Sequence, residues 1–176
     1  MDASPVSTKE WRGRFLEDFE VGDFFRSRLG RTISEADNTW FTLLTMNTNQ
    51  MHFNLEYAAR TEFERPLIVS SLTLAVVLGL SVADTSENAV ANLGWEQIRL
   101  LRPVFAGDTL WAESEVLSVR ESRSRPGCGV VEVRTRGVNQ RGDVILEFRR
   151  SFMVFKRATA DEVMATFPRA VEEWGV

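Results

Sequence analysis

Along the second half of this chain, apolar and polar positions alternate with a period of two. Thr109 to Val119 and Val130 to Val138 read as strands; in the second, Val131 and Val133 face one way while Glu132, Arg134 and Arg136 face the other. Asn139-Gln140-Arg141-Gly142-Asp143 predicts a hairpin connection into one more long strand. That strand sets Val144, Leu146, Phe148, Phe152 and Val154 on one line and Ile145, Glu147 and Arg149 on the opposite face. Asn92 to Val104 is strand-like but alternates poorly, which predicts a bulge or a change of facing near Gly94 to Gln97.

The first half keeps a helical spacing instead. Asp18 to Phe25 predicts a leading loop, a Gly22-Asp23 turn and a strand running towards Leu29. Ser34 then starts a helix, its hydroxyl capping while Asp37 reaches back from three residues on. Ile33, Ala36, Trp40 and Leu43/Leu44 share one face, expected to be buried. Asn54 caps a second short helix through Arg60, with Ala58 and Ala59 as its packed side. After Arg65-Pro66, Ser70-Ser71 open a helix that is apolar on nearly every side as far as Leu80, the pattern of a buried helix. A last, peripheral helix is expected from Asp161 to about Trp174.

One buried helix followed by a run of antiparallel strands gives an α+β fold in which a single curved sheet wraps the helix. The 176 residues, 44% of them hydrophobic, suit one domain. Residues 1–12 are expected to be a flexible arm, 13–156 the folded domain, and 157–176 a helical extension of it. Lysine and arginine number 21 against 25 acids, for a net charge of -4 without a basic run, so nucleic acid is excluded as an expected partner. The longest apolar run, Leu72 to Leu80 with Thr73 in it, is too short to span a bilayer, and the start lacks the pattern of a leader. A soluble, cytoplasmic protein with no membrane partner is expected. The single cysteine, Cys128, sits in a Pro-Gly-Cys-Gly turn, which leaves no internal disulfide and argues against a metal site.

The chemistry concentrates in Thr45-Met46-Asn47-Thr48-Asn49-Gln50-Met51-His52, which holds the only histidine. Histidine exchanges protons near neutral pH without much tuning, its ordinary pKa being about 6.5. Asn47 and Asn49 cannot titrate, so the loop can orient a carbonyl or a water and move one proton. A second acid or base is missing from it.

Phe41, Leu44, Thr45, Asn49, Met51, His52 and Ala58, with five residues between the last two, resemble the signature of the MaoC-like hydratases, which include the R-specific enoyl-CoA hydratases. Phe19 to Asp23, Gly30 to Asp37, Leu72-Thr73-Leu74 and Pro103 to Leu110 follow in the matching order, so the resemblance spans residues 13 to 156. It is strongest towards the branch that hydrates mesaconyl-CoA or dehydrates β-methylmalyl-CoA. The resemblance implies a hot-dog fold, a homo-oligomer of at least two copies, and hydration or dehydration of an α,β-unsaturated or 3-hydroxy acyl-CoA thioester. Coenzyme A is then part of the substrate, and no separate cofactor is expected. On this chain it makes His52 the base and places Asn47 where the family has its acid/base aspartate, orienting the water through its amide. Asn49, Ser70 and Ser71 fall to substrate binding, the backbone N–H groups near Ser70-Ser71 holding the developing oxyanion at a helix N-terminus. Met46, Asn47 and Gln50 depart from the family's glycine, aspartate and proline, and Val69-Ser70 from its His-Gly.

Other readings stand beside these. His52, Asn47 and Asn49 are equally residues that hold a turn, and Ser70 and Ser71 a helix cap. A thioesterase on the same fold needs a carboxylate near the helix start, for which Glu62 and Glu64 are the candidates by position. The asparagine at position 47 also fits a catalytically weak acyl-CoA-binding subunit. Arg123 and Arg125 belong to a solvated loop or meet the coenzyme A phosphates.

Overall fold

A computed structural model describes residues 12–165. In chain order the elements are β1 (Phe24–Arg26), β2 (Arg31–Thr32), α1 (Glu35–Leu44), α2 (Leu55–Ala58), α3 (Ser70–Thr85), β3 (Ala89–Leu100), β4 (Thr109–Glu121), β5 (Cys128–Asn139), β6 (Val144–Phe155) and α4 (Arg157–Met164). The strands form one antiparallel sheet in the order β1-β4-β5-β6-β3, with β2 also paired to β4. Among the described residues, no helix is long and apolar enough to cross a membrane.

The period-two pattern decides which face of the sheet meets the core. Val116 of β4 lies opposite Val133 of β5, and Val131 of β5 opposite Phe152 of β6, all of them buried. The other face is a lattice of charges: Glu113 accepts from Arg136 at 2.6 Å and Arg26 at 2.8 Å, and Glu115 from Arg134 at 2.5 Å. Burial pushes the Glu113 carboxyl up, but the hydrogen bonds from its two arginines outweigh that and hold it below its ordinary range.

α3 lays Leu72, Thr73, Val77, Ser81 and Thr85 against the concave side. With Leu110, Ala112, Ile145, Leu146 and Phe148, its apolar members form one core cluster. Contact with the sheet is close at Gly137, where a Cβ would stand 2.6 Å from a Val77 methyl. A second cluster, closed by Leu16 and Phe19, covers Val116, Val131, Val133, Phe152 and Val154.

Several expectations are corrected. The predicted inner face of α1 is turned outward: Trp40, Leu43 and Leu44 are 66%, 66% and 79% exposed, and Ala36 is exposed, while Asn38 and Thr42 are buried. The inner side of this helix meets main-chain N–H and C=O groups, which need polar partners. Ile145 points into the core rather than away from it, because the β5–β6 register steps from Gly137/Leu146 to Val138/Val144 and leaves Ile145 as the extra residue of a bulge. Arg150, on the same strand, is a buried cation that the alternation did not flag. Its Nη2 donates to Thr85 Oγ1 at 2.7 Å at the C-terminal end of α3, where helix carbonyls favour positive charge. Burial lowers its pKa to about 10, which leaves it charged at neutral pH.

α3 is longer than its apolar pattern and is not buried all round: Ala75, Gly79 and Ala83 are exposed along one side. Ala59 is exposed while Ala58 is buried, since α2 ends after one turn. Cys128 opens β5 as a buried residue rather than sitting in the turn. β3 starts at Ala89, earlier than expected, and carries the expected irregularity between Glu96 and Arg99, with Gln97 at a φ of 51°. α4 begins at Arg157, and the rest of the expected last helix, like the arm over residues 1–11, lies outside the described residues.

Candidate active site

The site is built where α1, the loop after it and the lead into α3 meet. Ser34 caps α1, its hydroxyl accepting from the Asp37 N–H at 3.2 Å while Asp37 accepts from the Ser34 N–H at 2.8 Å. Those Ser34 bonds hold the Asp37 carboxyl below its ordinary range. Beyond α1, Met46 turns the chain at a φ of 52°, a left-handed conformation unusual for a side chain of its size. Asn47 Oδ1 accepts from the Asn49 N–H at 3.0 Å, and Asn49 Oδ1 from the Met51 N–H at 3.1 Å. Two side-chain turns in succession thus deliver the 3₁₀ turn Gln50–His52, with His52 at its end.

His52 Nδ1 lies 2.9 Å from the Leu67 carbonyl oxygen. A carbonyl only accepts, so Nδ1 carries the hydrogen and Nε2 the lone pair of the neutral ring. That is the tautomer a base needs. The ring lines a cleft of about 310 Å³ together with Glu35, Asn38, Phe53, Arg65 and Ile68. The Arg65 guanidinium carbon lies over the Phe105 ring at 3.8 Å from its centre.

Of the residues singled out in the sequence, His52 lines this cleft. Asn47 and Asn49 stand in the same loop with their side-chain oxygens engaged in turns, and neither lines it. Ser70 and Ser71 are the first two residues of α3, after Val69 in the cap position, which supplies no side-chain bond. Ser70 borders a neighbouring cleft of about 280 Å³ that shares Ile68 with the first. The opening N–H groups of a helix have no partner within it, so those of Ser70 and Ser71 are available to an anion. Glu62, Glu64, Arg123 and Arg125 are exposed and line neither cleft.

The reading of the sequence passed over Asn38, Glu35 and Arg65. A signal for Asn38 was present: Ser34, Asn38 and Thr42 form a polar stripe at helical spacing, and a polar stripe beside an apolar one leaves open which is inside. Glu35 and Arg65 belong to no spacing pattern and come together only through the fold.

A six-stranded antiparallel sheet wrapped on one long helix, with a histidine loop overhanging the helix start, is a hot-dog unit of the MaoC-like type. A model of the mesaconyl-CoA hydratase family matches residues 3–167, and the chain belongs to that family. The mesaconyl-CoA hydratase of Cereibacter sphaeroides is 39% identical over 148 residues, 84% of this chain and 43% of that protein. A solved MaoC domain dehydratase from Chloroflexus aurantiacus superposes with a TM-score of 0.81 at 34% identity, over 97% of this chain and 46% of that one. A Mycobacterium tuberculosis protein with a double hot-dog fold, 24% identical, superposes at 0.76 over 90% of this chain and 47% of its own, a likeness of fold alone. The chain spans less than half the length of these relatives.

Proposed function

We propose that the protein hydrates an α,β-unsaturated acyl-CoA thioester, or runs the reverse dehydration, with His52 as the base. The observation that carries this is His52 lining a cleft with its Nδ1 fixed by Leu67, which leaves the lone pair on Nε2. In the forward direction Nε2 takes a proton from water, the oxygen adds to the β-carbon, and the electron pair moves to the thioester oxygen. The imidazolium then returns the proton to the α-carbon. The first N–H groups of α3 hold the negative oxygen, and such donors are often the largest single contribution to the rate. Asn47 stands in the loop that carries His52, its oxygen engaged in the turn, and does not line the cleft. The step balances without a cofactor. The hydration that the Cereibacter relative is named for, that of mesaconyl-CoA, is the substrate class we favour. A coenzyme A thioester substrate supports a cytoplasmic setting.

The active form is at least a dimer. Leu93, Trp95, Ile98 and Leu100 are exposed along β3, and Leu101 just after it; β3 is an edge strand whose outer side has no neighbour among the described residues. α3 also leaves Ala75, Gly79 and Ala83 open. The relatives, about twice as long, are consistent with a second unit covering these faces, and a second copy of this chain is the simplest one.

Incubation with crotonyl-CoA and with mesaconyl-CoA, following enoyl absorbance and thiol release together, tests the reading. Loss of enoyl absorbance without thiol is expected; thiol release would make the protein a thioesterase, and no change with either substrate would make it a binding subunit. Asn47→Asp is expected to raise the rate on crotonyl-CoA, since a carboxylate still accepts from the Asn49 N–H and adds a proton carrier. A fall in rate on mesaconyl-CoA, with the wild type active, defeats that expectation and assigns the work to a single histidine.

A further inference from the structure

We infer that Asn38 is a positioning residue for the base: its buried amide fixes the Leu67 carbonyl and thereby the tautomer and direction of His52, an inference that rests on the base role proposed above. Asn38 is 3% exposed, in the middle of α1, where asparagine is a poor helix former. Its position therefore needs a reason outside the helix. Its Nδ2 donates to the His52 carbonyl at 2.7 Å and to the Leu67 carbonyl at 3.0 Å, and its Oδ1 accepts from the Val69 N–H at 2.9 Å. Both donors of the amide are used, and the flipped amide would set its oxygen against two carbonyls, so the orientation is fixed by the network.

The geometry closes on itself. Leu67 O receives two donors, the Asn38 amide at 3.0 Å and the His52 Nδ1–H at 2.9 Å. The amide thus holds the histidine from both sides, through its own main-chain carbonyl and through the acceptor of its ring. The third bond reaches Val69, the cap position of α3, and ties the ring to the helix start whose N–H groups receive the oxyanion. One side chain sets base and oxyanion site in a common frame. Neutral histidine has two tautomers of similar energy, so the acceptor at Nδ1 decides which nitrogen is free. A displacement of about 1 Å in such a frame costs on the order of 10²-fold in rate.

Because the protein holds a single histidine, the imidazole ¹⁵N signals of uniformly labelled protein report on His52 alone. The wild type is expected to show the hydrogen of the neutral ring on Nδ1. In Asn38→Leu and Asn38→Asp, close in size to asparagine, the signals are expected to move towards the Nε2–H form or an exchanging mixture. With an active wild type, kcat falls by roughly 10²-fold, and KM changes much less. A wild-type ring protonated on Nε2 overturns the inference at once, even if both variants fail to fold. Folded variants that keep the Nδ1–H signals and the wild-type kcat overturn it as well. An inactive wild type whose Nδ1–H signals are lost in the variants would count against the hydratase reading and leave the positioning role standing.

Discussion

The β4–β5–β6 sheet and the α1–α2 overhang treat the same residue types in opposite ways. In the sheet, Val131, Val133, Phe148 and Phe152 are buried, and the charges of Glu113, Glu115, Arg134 and Arg136 stand outside. In the overhang, Asn38 and Thr42 are buried, while Trp40, Leu43, Leu44 and Met46 are exposed. The sheet satisfies its backbone within its own ladders, so its side chains are free to sort by polarity. The overhang has no ladder. Its irregular main chain at 47–54 and 66–69 takes donors and acceptors from asparagine side chains, which puts polar groups inside. Sheet residues should therefore govern stability, and overhang residues catalysis.

The strongest way to break that division is to strike each region at its centre. His52→Ala is expected to lower hydratase turnover by about 10²- to 10⁴-fold, the range for a lost acid–base group, with the thermal midpoint unchanged. Retention of most of the wild-type rate sinks the assignment. Phe148→Ala, at a side chain 1% exposed against α3, is expected to cost about 3–5 kcal/mol in denaturant unfolding. A loss below about 1 kcal/mol would mean that the sheet does not carry the fold.

What could be read from the sequence divides along the same line. Alternation is a local property, so the strands β4 and β5 and the facing of β5 were legible, and Arg150 escaped because a single charge in an apolar line looks like an outward residue. The facing of Ile145 depended on a bulge, set by how two strands meet rather than by either one. For α1 the spacing gave the helix and Ser34 with Asp37 gave its start, but which stripe lies inside depends on main chain arriving from residues 52 and 67–69. His52 was legible because it is the lone histidine in an ordered motif. Asn38 was not, because its role consists of three bonds to main chain 14 to 31 residues away.

The exposed leucines sharpen the comparison at smaller amplitude. Leu43→Ser with Leu44→Ser is expected to change the stability of the subunit by no more than about 0.5 kcal/mol, as for open surface positions. If the overhang takes part in assembly, light scattering should show a shift towards the monomer. A destabilisation above about 1 kcal/mol at unchanged mass would make these residues core after all and remove the contrast.

The smallest effect tests the turn that delivers the histidine. Met46 is 86% exposed at a φ of 52°, so its side chain contributes little packing while its backbone occupies a region that costs an ordinary residue about 1–2 kcal/mol. Glycine takes that conformation without strain but gives the unfolded chain more freedom, a cost of about 0.5–1 kcal/mol. Met46→Gly is therefore expected to stabilise the protein by about 0.5–1 kcal/mol in chemical denaturation, the difference of those two terms. The family signature, which has glycine at this place, fits the same reasoning. A lower denaturation midpoint in the variant would show that the Met46 side chain has a partner, most simply the covering unit proposed above, and repeating the measurement across protein concentrations identifies that case, because a loss through assembly grows with concentration.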